Sequence, residues 1–167
     1  MYKQYLLNSI IKEMHICKRL YTKIPADKMD FRPKEGMRSI AELLQYLSGC
    51  GTGTLLYWYR TDNSDFKTFF TALRAKTAGQ TPEQFMDAME AQVELVKKIF
   101  EKISTEDLHN KIVDYPWGTT APLGEAIIET SIKWLTGYKL QLFTYIKLSS
   151  DQKLTTPDAW RITELTA

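Results

Sequence analysis

A chain of 167 residues is long enough for one domain with a hydrophobic core of its own. Its 44% apolar and 25% charged residues are the proportions of an ordinary globular protein. Twenty-two basic against twenty acidic residues leave a net charge of +2, scattered along the chain, which disfavours a nucleic-acid partner because that grip requires several phosphates to be neutralised together.

Met1-Tyr2-Lys3-Gln4 runs straight into helical periodicity with no apolar leader, so no signal peptide is expected. No stretch approaches the roughly eighteen apolar residues of a membrane span. Cys17 and Cys50 lack any CxxC-type spacing and fit small buried apolar side chains in a reducing compartment, which places the protein in the cytoplasm.

The first helix is predicted over about residues 2–23. Leu6, Ile10, Met14, Cys17, Tyr21 and Ile24 step by fours and threes and share one face. Pro25, Arg32-Pro33 and Gly36 mark a connection. Ser39-Ile40-Ala41-Glu42 reads as a capping box that starts a second helix, predicted to run to about Arg60. Its inward stripe is Ile40, Leu43, Leu47, Cys50, Thr54 and Trp58. Gly49, Gly51 and Gly53 interrupt it; without a preceding strand or a following Lys they are no phosphate loop, and they fit close helix approach or a local break.

Residues 61–80 read as a polar connection carrying a short helix near Phe66–Arg74. Thr81-Pro82-Glu83-Gln84 starts a third helix with Phe85, Met89, Val93, Val96, Phe100 and Ile103 on its apolar face. The run from Lys111 to Pro122 is rich in turn formers and aromatics and fits a loop with a short hairpin piece. A fourth helix is predicted over about 123–147, with Ile127, Ser131, Trp134, Tyr138, Leu142 and Tyr145 inward. A polar tail follows, with a short helix from Pro157. Loops of such different lengths fit an all-α four-helix bundle with a crossover connection.

Candidate chemistry is sparse. His15 lies beside the apolar stripe of the first helix, and His109 sits in a polar segment; neither belongs to a nucleophile–base pattern. Glu125 and Glu129 fall opposite the fourth helix's stripe and read as a solvated face. The informative set is the polar-tipped aromatics on inward faces: Tyr46, Trp134 and Tyr138.

The run from Ile24 to Leu47, including Phe31-Arg32-Pro33 and Ser39-Ile40-Ala41-Glu42, resembles the passage between the first two helices of the DinB superfamily, the DinB/YfiT-like metalloenzymes. Trp134-Leu135-Thr136-Gly137-Tyr138-Lys139-Leu140-Gln141 is similar in spacing to that family's fourth-helix motif, usually a His followed four residues later by His-Arg-Gly-Gln. The resemblance covers residues 1–148, leaving 149–167 as a tail packed on or extending from the bundle.

It implies a four-helix bundle with a crossover, commonly a homodimer, and a divalent metal held by three histidines. The matching positions here are Tyr46, Trp134 and Tyr138. An indole has no lone pair to offer, and a phenol near pKa 10 is a poor substitute for imidazole. No metal and no cofactor is therefore expected. What remains is an aromatic pocket, with Cys50 and Gln141 adjacent, that binds a small molecule or is simply packed. The alternatives are a thiol-dependent transferase or metal-dependent hydrolase like relatives, with metal recruited by His15 or Glu42, and a homodimeric interaction module using Tyr57-Trp58-Tyr59.

Overall fold

The computed structural model describes residues 1–161; positions 162–167, the end of the expected tail, lie outside the described residues. The fold is all-α, and the only sheet among the described residues is one short hairpin.

Helix α1 (Tyr2–Tyr21) buries Leu6, Ile10, Met14 and Cys17, the deepest positions of its predicted stripe. Helix α2 (Ile40–Cys50) starts at the capping box. The Glu42 amide donates to Ser39 Oγ at 3.1 Å, and the Ser39 amide donates to a Glu42 carboxylate oxygen at 2.9 Å. The incoming loop supplies two more acceptors, since the amides of Ile40 and Ala41 donate to the carbonyls of Phe31 and Met29. All four first-turn donors that a helix leaves open are thus engaged or near solvent.

The single helix predicted over 40–60 is in fact two. Helix α2 stops at Cys50, and α3 (Gly53–Trp58) follows after Gly51 and Thr52. The break lies at a close approach: a Cβ on Gly51 would stand 2.5 Å from Met14 Cε of α1 and 2.9 Å from a Leu135 methyl, so only glycine fits there. Both readings of the glycine run, close approach and local break, hold together. Gln92 ties the break to the third long helix, donating to the Leu47 carbonyl at 2.9 Å while accepting from Thr52 Oγ1 at 3.3 Å.

Helix α4 (Phe66–Ala78) is a full turn longer than predicted, capped by Asp65 accepting from the Thr68 amide at 2.7 Å. Helix α5 (Phe85–Lys102) follows a tight turn at Pro82–Gln84, and its six predicted inward residues are all buried. Helix α6 (Thr105–Asn110) forms behind a Ser104/Asp107 capping box within a segment that reads only as polar. Strands β1 (Ile112–Asp114) and β2 (Thr120–Pro122) pair antiparallel, Val113 opposite Ala121. Gly118 closes their turn at φ +91°, a left-handed value that glycine adopts without strain.

The last long helical stretch has a change of winding inside it. Helix α7 (Leu123–Ile127) leads into a π-helical turn at Ile128–Ile132, then into α8 (Lys133–Ser149). A π turn takes in one extra residue. The buried line accordingly runs Ile127, Ser131, Leu135, Lys139, Leu142 and Ile146, stepping by four where an ordinary helix would step by three. This corrects the predicted stripe: Leu135 and Lys139 take the innermost line, and Trp134 and Tyr138 flank it, half-buried. Helix α9 (Thr156–Trp160) lies against α1 and α8, held by the Arg19 guanidinium donating to the carbonyls of Pro157 and Asp158.

Helices α1 and α2 each pack on both α5 and α8, and α2 also carries α4. Leu20, Leu43, Leu47, Met89, Val96 and Leu142, all inaccessible to solvent, belong to the core they enclose. No helix among the described residues is long and apolar enough to cross a membrane.

Candidate functional site

On α2, Tyr46, Gly49 and Cys50 share one face because they are spaced by three and four residues. Helix α4 turns Phe66, Phe70, Leu73 and Thr77 toward that face by the same rule, and none of its residues is fully buried. Glycines let the helices approach: a Cβ on Gly53 would lie 3.0 Å from the Phe70 ring and 3.1 Å from a Leu73 methyl. With Trp134 of α8 and Pro116 of the hairpin turn, these side chains line a half-open cavity of about 190 Å³. Arg74 is the one charged residue in its lining.

Three of the sequence-predicted residues meet here: Tyr46, Trp134 and Cys50 all line the cavity. Tyr138 packs on Tyr46 with ring centroids 4.4 Å apart, outside the lining, and the Arg38 guanidinium lies 4.6 Å over the Tyr46 ring and 5.7 Å over that of Tyr138. Gln141 points elsewhere, donating to the Tyr145 hydroxyl at 2.6 Å. Burial, the neighbouring Cys50 thiol and the Tyr138 hydroxyl hold the Tyr46 phenol well above its ordinary pKa. Burial likewise raises the Cys50 and Cys17 thiols, so both favour the protonated, unreactive form.

These donors do not fit a divalent metal of the histidine type. Trp134 has no lone pair, and a phenol held protonated offers no phenolate. Neither residue considered as a substitute lines the cavity. Glu42 receives a bidentate pair of hydrogen bonds from Arg32 at 2.6 and 2.8 Å and one from the Ser39 amide; together they hold its carboxyl down to about 2. His15 sits half-buried near Lys18, Glu90 and Lys97; burial first, then the two lysines, lower its pKa, with Glu90 opposing. Among the described residues no three of His, Cys, Asp or Glu converge as a metal group would require.

The remaining candidates take ordinary places. His109 is exposed and stacks on Tyr2, Glu125 is exposed, and Glu129 pairs with Lys133 at 2.6 Å. The Tyr57-Trp58-Tyr59 run, expected in part to face a partner, is used within the chain. Tyr57 is buried against Phe66, Phe69 and Phe70; Trp58 Nε1 donates to the Asp114 carbonyl at 2.9 Å; the Tyr59 ring lies 3.8 Å beneath Lys111 Nζ.

Two polar features go beyond the sequence reading, which places Thr54 and Ser131 inward but pairs neither and leaves out Lys139 and Thr130. Lys139 is fully buried with Nζ 2.7 Å from a Glu13 carboxylate oxygen, and the Trp160 ring closes over it at 4.1 Å. Thr54 meets Thr130 and Ser131 at 3.0 and 3.2 Å beneath the π turn, all three hydroxyls inaccessible to solvent. Lys139 sits four residues from both Leu135 and Phe143 on a predicted helix, so a stripe drawn on a shifted phase would have found it. No family model matches this chain, and no curated protein matches it.

Proposed function

We propose that this chain is a DinB-like four-helix bundle with a crossover connection, in which the family's metal site is replaced by an aromatic cavity that binds a small molecule. The packing of α1 and α2 each on α5 and α8, with connections as long as the α4-bearing one between α2 and α5, supports the bundle and its crossover. The observation that carries the binding role is the cavity of about 190 Å³, walled by Tyr46, Trp134, Phe66, Phe70 and Leu73 and lacking any imidazole or carboxylate in its lining. Sites for small ligands are concave and largely apolar with few polar groups, and a dry apolar cavity of about 150 Å³ is large enough to hold benzene.

Two measurements test the proposal. Untagged protein equilibrated with Zn²⁺ or Ni²⁺ and then desalted should retain far less than one metal per chain by inductively coupled plasma analysis; stoichiometric retention would overturn the metal-free reading. A saturation-transfer NMR screen of one- and two-ring fragments should yield binders that Trp134→Ala abolishes. No binders at all, or binders indifferent to Trp134, would overturn the binding role.

A further inference from the structure

Resting on the binding role above, we infer that the ligand of the cavity is a small aromatic anion, carrying a carboxylate or an equivalent acid group that Arg74 receives. The walls select the aromatic part. Tyr46, Phe66, Phe70 and Trp134 present rings on several sides of a space of about 190 Å³, which suits one or two fused rings that can stack or meet them edge-on.

The polar groups select the charge. Arg74 is exposed on the α4 rim of the cavity, and no carboxylate lines it. Among the described residues the Arg74 side chain has no acidic partner and makes no hydrogen bond; only its backbone is engaged, within α4 and with Thr77 Oγ1, which donates to its carbonyl at 3.2 Å. An unpaired guanidinium keeps five N–H donors in the fork that matches a carboxylate. The Trp134 indole N–H likewise has no acceptor among the described residues. A second cation, Arg38, lies 4.6 Å over the ring of the wall residue Tyr46, outside the lining and near Glu42, and adds positive charge beside the cavity. A neutral aromatic would satisfy the walls and leave these donors to water; an aromatic cation would be repelled.

Calorimetric titration with 2-naphthoate and with 2-naphthamide, its uncharged analogue of the same shape, tests the inference. The acid should bind about fivefold more tightly than the amide, the gain expected for a partly solvated ion pair, and Arg74→Gln should bring the acid to the affinity of the amide. Gly49 has only Thr77 Cγ2 at 3.5 Å and Leu73 near its Cβ position, so Gly49→Leu should fill the space between α2 and α4 and abolish binding of both probes. Equal affinity for acid and amide, or an acid preference that survives Arg74→Gln, overturns the anionic ligand while leaving the cavity's binding role standing. Binding of neither probe, or binding that survives Gly49→Leu, overturns the binding role itself. Arg74 is exposed, so its replacement leaves the fold in place.

Discussion

Replacing Glu13 by Gln isolates one of the few charges this fold takes out of water. Lys139 has no exposed surface, and its ammonium lies 2.7 Å from a Glu13 oxygen, off the hydrogen-bond direction. Its other close contact is the Trp160 ring at 4.1 Å. Removing the carboxylate therefore leaves a buried ammonium with only an aromatic face to balance it. Breaking such pairs costs about 3–5 kcal/mol. The paired Glu13 oxygen is itself buried, but the side chain as a whole keeps 13% of its surface exposed, so we take the lower figure, about 3 kcal/mol. For a domain of this size that corresponds to a fall in Tm of roughly 6–12 °C. The double variant Glu13→Leu/Lys139→Met removes both charges and keeps the volume, and should lie within about 1 kcal/mol of the parent. Thermal and urea unfolding followed by circular dichroism reads all three proteins. A loss below about 1 kcal/mol for Glu13→Gln, or a double variant no better than the single one, would refute the argument.

Three further outcomes are expected. Gly124→Ala places a Cβ 2.8 Å from the Leu108 carbonyl oxygen, a backbone atom with little room to yield, and should destabilise by about 1–3 kcal/mol. Gly137→Ala on α8 meets nothing within 4 Å and should instead stabilise by up to about 1 kcal/mol; unfolding curves with the same sign for both would contradict this account of the two sites. Glu42 has a folded-state pKa depressed to about 2, so the stability it contributes is present above its unfolded pKa near 4.3 and is lost as pH falls toward 2. The stability gap between the parent and Glu42→Gln should therefore be present at pH 7 and close across that window, whereas a constant gap would show the Arg32 pairing to be irrelevant. Neither Cys17 nor Cys50 should react appreciably with a thiol reagent at pH 7.5 in the native protein, and both should titrate once it is unfolded; one fast native thiol would refute the burial argument.

What sequence could and could not convey follows from where each decision is made. The α5 stripe from Phe85 to Ile103 was legible because one long helix with a single buried face obeys the 3.6-residue period without interruption. The α2 start was legible because a capping box acts within four residues. The α2–α3 break was not placed, and the close approach that demands glycine at position 51 comes from Met14 and Leu135, far away in the chain. The α8 faces were misphased for a related reason: a stripe drawn at constant period cannot register the extra residue of a π turn. At the site, Tyr46 and Trp134 were legible as polar-tipped aromatics on the inward faces of their helices, and Cys50 as part of the stripe one turn beyond Tyr46. The α4 wall and Arg74 were not: Phe66, Phe70 and Leu73 keep helical spacing, but nothing local says that their face packs on the glycine surfaces of α2 and α3.

The π turn at Ile128–Ile132 separates the length of the chain from the placement of its helices. Helix α7 and helix α8 are each docked by their own contacts, and the surplus residue between them is absorbed as a wider loop of backbone rather than passed along as rotation. Losing one residue from this segment would tighten it to ordinary helix and leave Lys139 inside, with Trp134 still at the cavity wall. Losing one residue anywhere within α8 would do the opposite, turning every later side chain by about 100° and carrying Leu142 and Ile146 off the core. This helix thus has one short stretch where the loss of a residue should be absorbed, two positions before Trp134, which lines the site.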